Sequence, residues 1–218
     1  DSANGQSFVR VAGTILDITA RKKLEERQKL LVAELDHRVK NILANVRAMA
    51  SLAGRKATAV DDFVKALDGR LLAMATAHNL LSLESWRSAD LMELARTVLA
   101  PFRSVCGENF ELSGDEIRVQ PRVAQAMALV FHELATNAVK HGALANSAGR
   151  VSLTWTRSES SPELEIVWRE SGGLSICAPI HRGLGLTIIE TALSGEGAHI
   201  QCTFDPSGVV CIIKVAAN

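Results

Sequence analysis

The spacing of hydrophobic residues changes along this chain, and this change constrains the fold more than any other feature of the sequence. Apolar side chains recur every three or four residues over 31–53 and again over 60–81. After Gly142 they alternate with polar side chains, as they do over 151–155. The first spacing is that of amphipathic helices, and the second is that of half-buried strands. We therefore expect a helical N-terminal part and a C-terminal part built on a sheet.

The helical part is predicted to be a two-helix hairpin, because only the short break at 54–58 separates its two periodic segments. The second segment carries an apolar seam, here called the second-helix seam, with steps of four and three residues: Val60, Val64, Leu67, Leu71, Met74, His78 and Leu81. A single hairpin cannot cover both of its apolar seams. We expect two hairpins to pair as a four-helix bundle in a homodimer, or the hairpin to pack on the rest of its own chain.

Residues 88–218 predict an α+β unit. A capping arrangement at Asp90 opens a short helix that Pro101 should end, and Pro121 opens a longer helix. Extended pieces and a further helix are expected at 110–112, 117–119, 151–155, 164–168, 185–194, 200–204 and 209–215. This order favours a two-layer sandwich of antiparallel strands covered by helices on one face.

Charge and composition narrow the classes of function. The net charge is zero, but residues 1–87 hold 14 basic and 10 acidic residues, whereas residues 88–218 hold 10 and 14. A nucleic-acid-binding protein needs a basic excess, so that class is excluded. No apolar run approaches the roughly 18 residues that span a bilayer, and we expect a cytoplasmic protein. The scattered cysteines should be reduced, buried residues: Cys106, Cys177, Cys202 and Cys211.

His37 is the first residue with a possible role in chemistry. It lies between two apolar positions of the first helix and should face solvent, together with Lys40 and Asn41, three and four residues later. A neutral imidazole keeps one ring nitrogen free as a nucleophile. Asp36 is the nearest acid and a candidate base. An ordinary surface histidine would show the same local pattern.

A second group lies on the helix that Pro121 opens. Glu133, Asn137 and Lys140 are spaced by four and three residues and should share one face. Carboxylate and amide oxygens suit Mg²⁺ and its waters, and an ammonium suits phosphate. Neighbouring His141 joins them as a candidate nucleotide contact. A solvated polar helix face would also have this composition.

Two glycine-containing segments complete the set. Glu170 ends a strand and could accept a hydrogen bond from the amino group of a base, while Gly172 and Gly173 let a ligand approach the backbone. The second segment opens a helix and offers its N-terminus to phosphate oxygens. It contains Arg182, Gly183, Gly185 and Thr187. It lacks the Lys of a Walker loop and the third Gly of a dinucleotide fingerprint.

Together, these motifs resemble the HWE type of bacterial sensor histidine kinase, whose ATP-binding domain has the Bergerat (GHKL) fold. The likeness covers roughly residues 19–218 and includes the phosphoacceptor stretch 37–41 and the N-box 132–137. The three letters of the family name fall on His132, Trp168 and Glu170. Residues 13–24 look like the last strand of a PAS- or LOV-type sensor that runs into its signalling helix. We expect that sensor itself to be missing from this chain.

The resemblance implies a role for each matching residue. His37 would be phosphorylated from Mg-ATP and would pass the phosphoryl group to an aspartate of a response regulator. Asn137 would hold Mg²⁺, and Glu133 would support the ion through water. Glu170 would read the adenine amino group, and Lys140 would meet phosphate. The glycines at 183–185 would border a nucleotide lid formed by residues 174–182.

The resemblance also implies a domain order. Residues 1–18 would be the end of the sensor, 19–86 the dimerisation and histidine phosphotransfer hairpin, and 87–218 the ATP-binding domain. His132, Trp168 and Trp86 are expected to pack or hydrogen-bond rather than to take part in chemistry. The alternative is a Bergerat-fold ATPase or serine protein kinase whose helical region is an interaction module. A scaffold that binds without turnover is a third reading.

Overall fold

The computed structural model describes Thr19, Lys22, Lys23 and residues 60–84, 86–106, 109–158, 163–173 and 198–216. The chain forms two compact units, Asp1–Arg47 and Ala48–Asn218. Thr19, Lys22 and Lys23 are helical, as predicted for the start of the helical part, and every element below belongs to the second unit. The first helix of the predicted hairpin, the nucleotide lid and the helix expected at 185–194 lie outside the described residues.

The described residues contain the helices α1 (Val60–Leu83), α2 (Leu91–Cys106) and α3 (Pro121–His141), all at predicted positions. The cap at the start of α2 is confirmed, because the Asp90 carboxylate accepts the backbone N–H of Glu93 at 2.8 Å. The prediction that Pro101 ends this helix was wrong, since α2 continues to Cys106. Leu99 and Phe102 on either side of Pro101 pack into the core. Their burial outweighs the roughly 3 kcal/mol that an internal proline costs.

The described strands form one sheet of five and a small pair. Their bounds are β1 Ala89–Asp90, β2 Phe110–Gly114, β3 Arg118–Val119, β4 Arg150–Arg157, β5 Glu163–Ser171, β6 His199–Asp205 and β7 Gly208–Ala216. The sheet has the order β2-β4-β5-β7-β6, and β1 pairs with β3.

One strand pairing departs from the expected antiparallel arrangement, because β2 runs parallel to β4. The other pairings of the described strands are antiparallel. A parallel pair needs a long crossover connection, and α3 lies between these two strands in the chain and provides it. The crossover carries α3 across one face of the sheet.

The core lies between the sheet and its helices. The inward residues of β4 and β5 alternate as predicted and are almost completely buried: Val151, Leu153, Trp155, Leu164, Ile166 and Trp168. They pack in one cluster with apolar residues of α2 and α3. On the opposite face of the sheet, Thr154, Val167 and Ile212 keep part of their surface accessible. The predicted α+β two-layer sandwich is therefore confirmed for residues 89–216 as far as they are described.

Helix α1 packs on α2 and α3. The second-helix seam is divided by this contact, because Met74 and Leu81 are buried whereas Val60 is 76% and Val64 44% exposed. Trp86 follows the helix with a φ of 61° and packs against the core, as expected. Its ring meets His78 edge-on, with the ring centroids 4.7 Å apart.

Two cysteines correct the expectation of free thiols. Cys202 and Cys211 face each other in the β6–β7 register and form a disulfide. Their pairing follows from the hairpin register, which alternation alone does not reveal. On its other side, β7 pairs with β5, where Cys211 lies opposite Trp168.

None of the described helices is long and apolar enough to cross a membrane.

Candidate active site

Helix α3 carries the second group of predicted site residues, but its polar side chains do not form one solvated face. Asn137 is half-buried, and Lys140 and His141 are exposed in the last turn. Glu133 is only 4% exposed. The alternative interpretation, a solvated polar helix face, is therefore wrong for Glu133, because α1 packs over this part of α3.

Arg70 of α1 is the partner that the sequence did not predict. Its Nε donates to Glu133 Oε1 at 2.7 Å and its Nη2 donates to Oε2 at 3.2 Å. Arg70 is 5% exposed, and among the described residues nothing accepts a hydrogen bond from its Nη1. The two residues are 63 positions apart in sequence, so no local motif joins them. The sequence does hold one indication that Arg70 is buried: it lies on the same helical stripe as the buried residues Met74, Ala77 and Leu81.

His132, the first residue of the N-box, packs between two helices. Its ring centroid lies 5.5 Å from that of Phe102 in α2. A Cβ on Gly69 of α1 would come within 2.7 Å of His132 Cε1 and Nε2, so the helix backbone closely approaches the ring. Burial lowers the pKa of His132, with Arg70 and Lys140 acting in the same direction and Glu133 opposing them. The imidazole is therefore neutral at pH 7, and its position agrees with the expected packing role.

Glu170 and Trp168 form a buried pair at the end of β5. The Trp168 Nε1 donates to Glu170 Oε1 at 3.1 Å, and the backbone N–H of Ala143 donates to Oε2 at 2.8 Å. Burial raises the pKa of Glu170, while these two hydrogen bonds oppose the shift. A carboxylate has about four acceptor positions, and these two bonds use two of them. Such a carboxylate can bind the amino group of a base.

The chain around Glu170 is packed so tightly that glycine is needed. A Cβ on Gly142 would collide with Glu170 Oε2. Gly172 has a φ of 70°, a left-handed conformation that other residues adopt at a cost, and its Cβ would lie 2.7 Å from the Ala148 carbonyl oxygen. The loop 142–149 therefore lies directly against the end of β5. This packing explains Gly172 without a ligand, and its predicted contact with nucleotide stays a prediction, as does that of Gly173.

The described donors fit the Mg-ATP that the resemblance implies. Within the described ranges, no three His, Cys, Asp or Glu side chains converge as they would around a metal held by protein alone. Mg²⁺ bound to a nucleotide keeps waters and phosphate oxygens and needs only one or two protein ligands. Asn137 offers an amide oxygen, Lys140 an exposed ammonium, and Glu170 an acceptor for an amino group.

The remaining predicted site residues lie outside the described part of the chain. They are Asp36, His37, Asn41, Arg182, Gly183, Gly185 and Thr187. The structure therefore brings Glu170, Trp168, Gly142 and Ala143 together, and separately Glu133 with Arg70.

Comparison with known proteins finds similarity to histidine kinases along most of the chain. Residues 34–116 match the family described as HWE histidine kinase. The blue-light-activated histidine kinase of Brucella anthropi is 37% identical over 201 residues, which is 91% of this chain and 41% of that protein. The protein of the same description from Brucella ovis is 36% identical over 203 residues, which is 92% of this chain and 42% of that protein. The chain thus spans about two fifths of these curated relatives.

Solved structures show the same fold. The histidine kinase domain of the blue-light-activated histidine kinase EL346 from Erythrobacter litoralis superposes with a TM-score of 0.64 at 20% identity, covering 85% of this chain and 92% of that one. A longer structure of EL346 gives a TM-score of 0.67 at 17% identity, covering 84% of this chain and 60% of that one. Residues 34–116 therefore form a segment that matches the HWE histidine kinase family, and about nine tenths of the chain is similar to curated histidine kinases.

Proposed function

We propose that this chain is the kinase core of a sensor protein that phosphorylates His37 from Mg-ATP and passes the phosphoryl group to an aspartate of a response regulator. The observation that carries the proposal is the buried Glu170 carboxylate. Trp168 and Ala143 orient it at the end of β5, and their two bonds leave acceptor positions of the carboxylate for a donor such as an adenine amino group. Similarity to curated histidine kinases supports the same reaction.

Four candidate site residues that the structure describes have proposed roles in binding Mg-ATP. Glu170 accepts the adenine amino group, Asn137 contributes its amide oxygen to Mg²⁺, and Glu133 supports that ion through water. Lys140, exposed in the last turn of α3, meets phosphate. When bound, ATP would supply the phosphoryl group, and its Mg²⁺ would offset the negative charge of the phosphate oxygens.

His37 receives the phosphoryl group. An N–P bond forms at one imidazole nitrogen while the bond between the γ-phosphorus and the bridging oxygen breaks, and ADP leaves. Asp36 is the candidate base, and Asn41 shares the face of His37. The remaining candidates contact the nucleotide: His141, Gly172, Gly173, Arg182, Gly183, Gly185 and Thr187.

The proposal includes an organisation larger than this chain. The two Brucella relatives are named for activation by blue light, which supports a PAS- or LOV-type sensor upstream of residue 18. We place the phosphotransfer hairpin at 19–86 and the ATP-binding domain at 87–218, in a cytoplasmic homodimer. Residues 1–87 carry 14 basic and 10 acidic side chains, which suits the acidic pocket of a receiver domain.

Labelling with ATP that carries radioactive γ-phosphate tests the reaction. The wild type should acquire a label that is labile in acid and stable in alkali, as phosphohistidine is, and His37→Ala should abolish it. His199→Ala is the matched control, because His199 is an exposed histidine on β6 that has no proposed role, and it should keep the label. Release of free phosphate from an unlabelled protein would instead indicate the ATPase alternative.

A further inference from the structure

The packing of α1 on α3 includes two adjacent residues of each helix. Gly69 and Arg70 of α1 contact His132 and Glu133 of α3. We infer that Arg70 is a positioning residue that withholds Glu133 from Mg²⁺ while α1 is docked on α3. The affinity for magnesium-bound nucleotide then depends on where α1 lies. The inference rests on the proposed function, in which Glu133 supports the nucleotide's metal ion.

The geometry of the ion pair makes Glu133 a poor ligand in the docked state. Arg70 contacts both carboxylate oxygens, at 2.7 and 3.2 Å, and both side chains are at least nine-tenths buried. Mg²⁺ gives up its waters reluctantly and would need a hydrated path to the carboxylate. Here the helix that supplies Arg70 covers this surface of α3. Glu133 can support the ion only after Arg70 has moved away.

The contact is built into both helices. A glycine inside a helix costs about 1 kcal/mol relative to alanine, yet α1 has Gly69 at the position where its backbone meets the His132 ring. Without a side chain at this position, the two helices come close enough for Arg70 to reach Glu133. The ion pair between Arg118 and Glu84, in contrast, is not buried between helices, since about half of each side chain is accessible.

Docking of α1 on α3 is also incomplete, since one buried donor has no acceptor within the described part of the chain and the first turns of the helix are largely exposed. We therefore expect that α1 can move away from α3. The buried Nη1 of Arg70 has no acceptor among the described residues. A buried ion pair contributes little net stability, because desolvation offsets its attraction. At the start of α1, Val60 and Val64 remain exposed and do not anchor the helix. The helix is therefore held mainly by its second half, around Met74, Ala77 and Leu81.

Nucleotide binding by Arg70→Met tests the inference, with Arg118→Met as the matched control. The dissociation constant of adenylyl imidodiphosphate is measured with Mg²⁺ and again in EDTA. With Mg²⁺ we expect Arg70→Met to bind about fivefold or more tightly than the wild type, in the usual range of coupling between sites. In EDTA the two should bind equally, and Arg118→Met should match the wild type in both conditions. Arg70→Lys, which keeps the charge but lacks the planar guanidinium that forms two parallel hydrogen bonds, should give an intermediate value.

A ratio of magnesium to EDTA affinities that is the same in Arg70→Met and the wild type would overturn the inference. A merely structural role would change both affinities or neither. Failure of the wild type to bind the analogue at all would instead contradict the proposed function, so the two failures are distinguishable.

Hydrogen exchange in the wild type gives an answer even if Arg70→Met does not fold. Coupling is reciprocal, so magnesium-bound analogue should displace α1 and speed exchange of the amides over 60–83. The analogue in EDTA should leave these amides unchanged. Unchanged or slower exchange with magnesium would overturn the inference.

Discussion

Two buried tryptophans on neighbouring strands each donate one hydrogen bond, but the two bonds have different consequences for the candidate site. Trp168 donates to the Glu170 carboxylate, whereas Trp155 donates at 2.8 Å to the backbone carbonyl of Asp115. Both rings are almost completely inaccessible. Only the first bond orients a charged group of the candidate site.

Trp168→Phe should therefore weaken adenine nucleotide binding. Without this bond the carboxylate is no longer held in one orientation before binding, and we expect a roughly tenfold loss of affinity, which corresponds to about 1.4 kcal/mol. The pKa of Glu170 should also rise further, since this bond opposes the shift. Trp155→Phe is the control and should lower only the free energy of unfolding. Calorimetric titration with nucleotide measures the effect, and equal affinities of the two variants would contradict the role of Trp168.

Glu170 also predicts a pH dependence of stability. Its pKa is raised in the folded protein, chiefly by burial, so the folded state binds this proton more readily than the unfolded state. Its contribution to stability is fully present below the ordinary pKa of 4.5 and is lost as the pH rises through the raised value. The free energy of unfolding of the wild type minus that of Glu170→Gln should fall over this window.

Chemical denaturation of both proteins from about pH 4 to about pH 8 measures this difference. Subtraction removes the contributions of the other carboxylates. A difference that increases with pH would mean that the bonds from Trp168 and Ala143 outweigh burial.

At the residue scale, local chemistry was predictable and distant partners were not. The cap at Asp90 acts over three residues, and Glu170 precedes a pair of glycines, so short segments of sequence reveal both. The partner of Glu133 is 63 positions away on a helix with its own apolar pattern. Burial of a charged residue depends on what covers it, which local spacing does not contain.

Helix α1 is the element in which propensity and packing oppose each other. Gly69→Ala should improve helix propensity by about 1 kcal/mol, but the new Cβ would lie 2.7 Å from two ring atoms of His132. Overpacking costs about 1–3 kcal/mol, so we expect a net loss of about 1 kcal/mol. In a His132→Ala background, the same substitution should stabilise the protein by about 1 kcal/mol.

Urea unfolding of the four proteins in this cycle measures the coupling between Gly69 and His132. An effect of the same sign in both backgrounds would show that the ring does not limit the approach of α1.

At the element scale, periodicity and capping residues located the three α-helices and the four longest strands of the described residues. The prediction that Pro101 ends α2 was wrong, because burial of Leu99 and Phe102 outweighs the cost of an internal proline. Periodicity also gave no direction for β2, because alternation is the same in parallel and antiparallel strands. The Cys202–Cys211 pair was missed for a related reason, since strand register depends on the hairpin turn.

For the molecule as a whole, the second-helix seam bears on the oligomeric state. Its second half is buried within the chain, whereas Val64 is 44% exposed and remains free for a second copy. If the proposed homodimer forms there, Val64→Glu should shift it to monomer. Leu72→Glu is the control, because Leu72 is 60% exposed but lies outside the seam.

Light scattering at several protein concentrations measures both variants and the wild type. A wild type that is monomeric at every concentration would favour the other expectation, in which the hairpin packs on its own chain.

The architecture of residues 89–216 followed from the sequence because hydrophobic alternation, turn residues and caps all indicate the same sandwich. The arrangement of α1 on α3 did not. A helix whose seam could face either a second hairpin or its own domain has two ways to bury that seam. The choice depends on contacts such as Gly69 with His132 that no periodicity expresses.

The placement of the three tryptophans has an optical consequence. The chain has no tyrosine, so its ultraviolet emission comes from Trp86, Trp155 and Trp168. Trp86 lies at the end of α1, Trp168 holds the Glu170 carboxylate, and Trp155 contacts neither. The fluorescence of Trp86 and Trp168 would therefore report helix displacement and nucleotide entry without an attached dye, and variants that lack Trp86 or Trp155 would assign each signal to its ring.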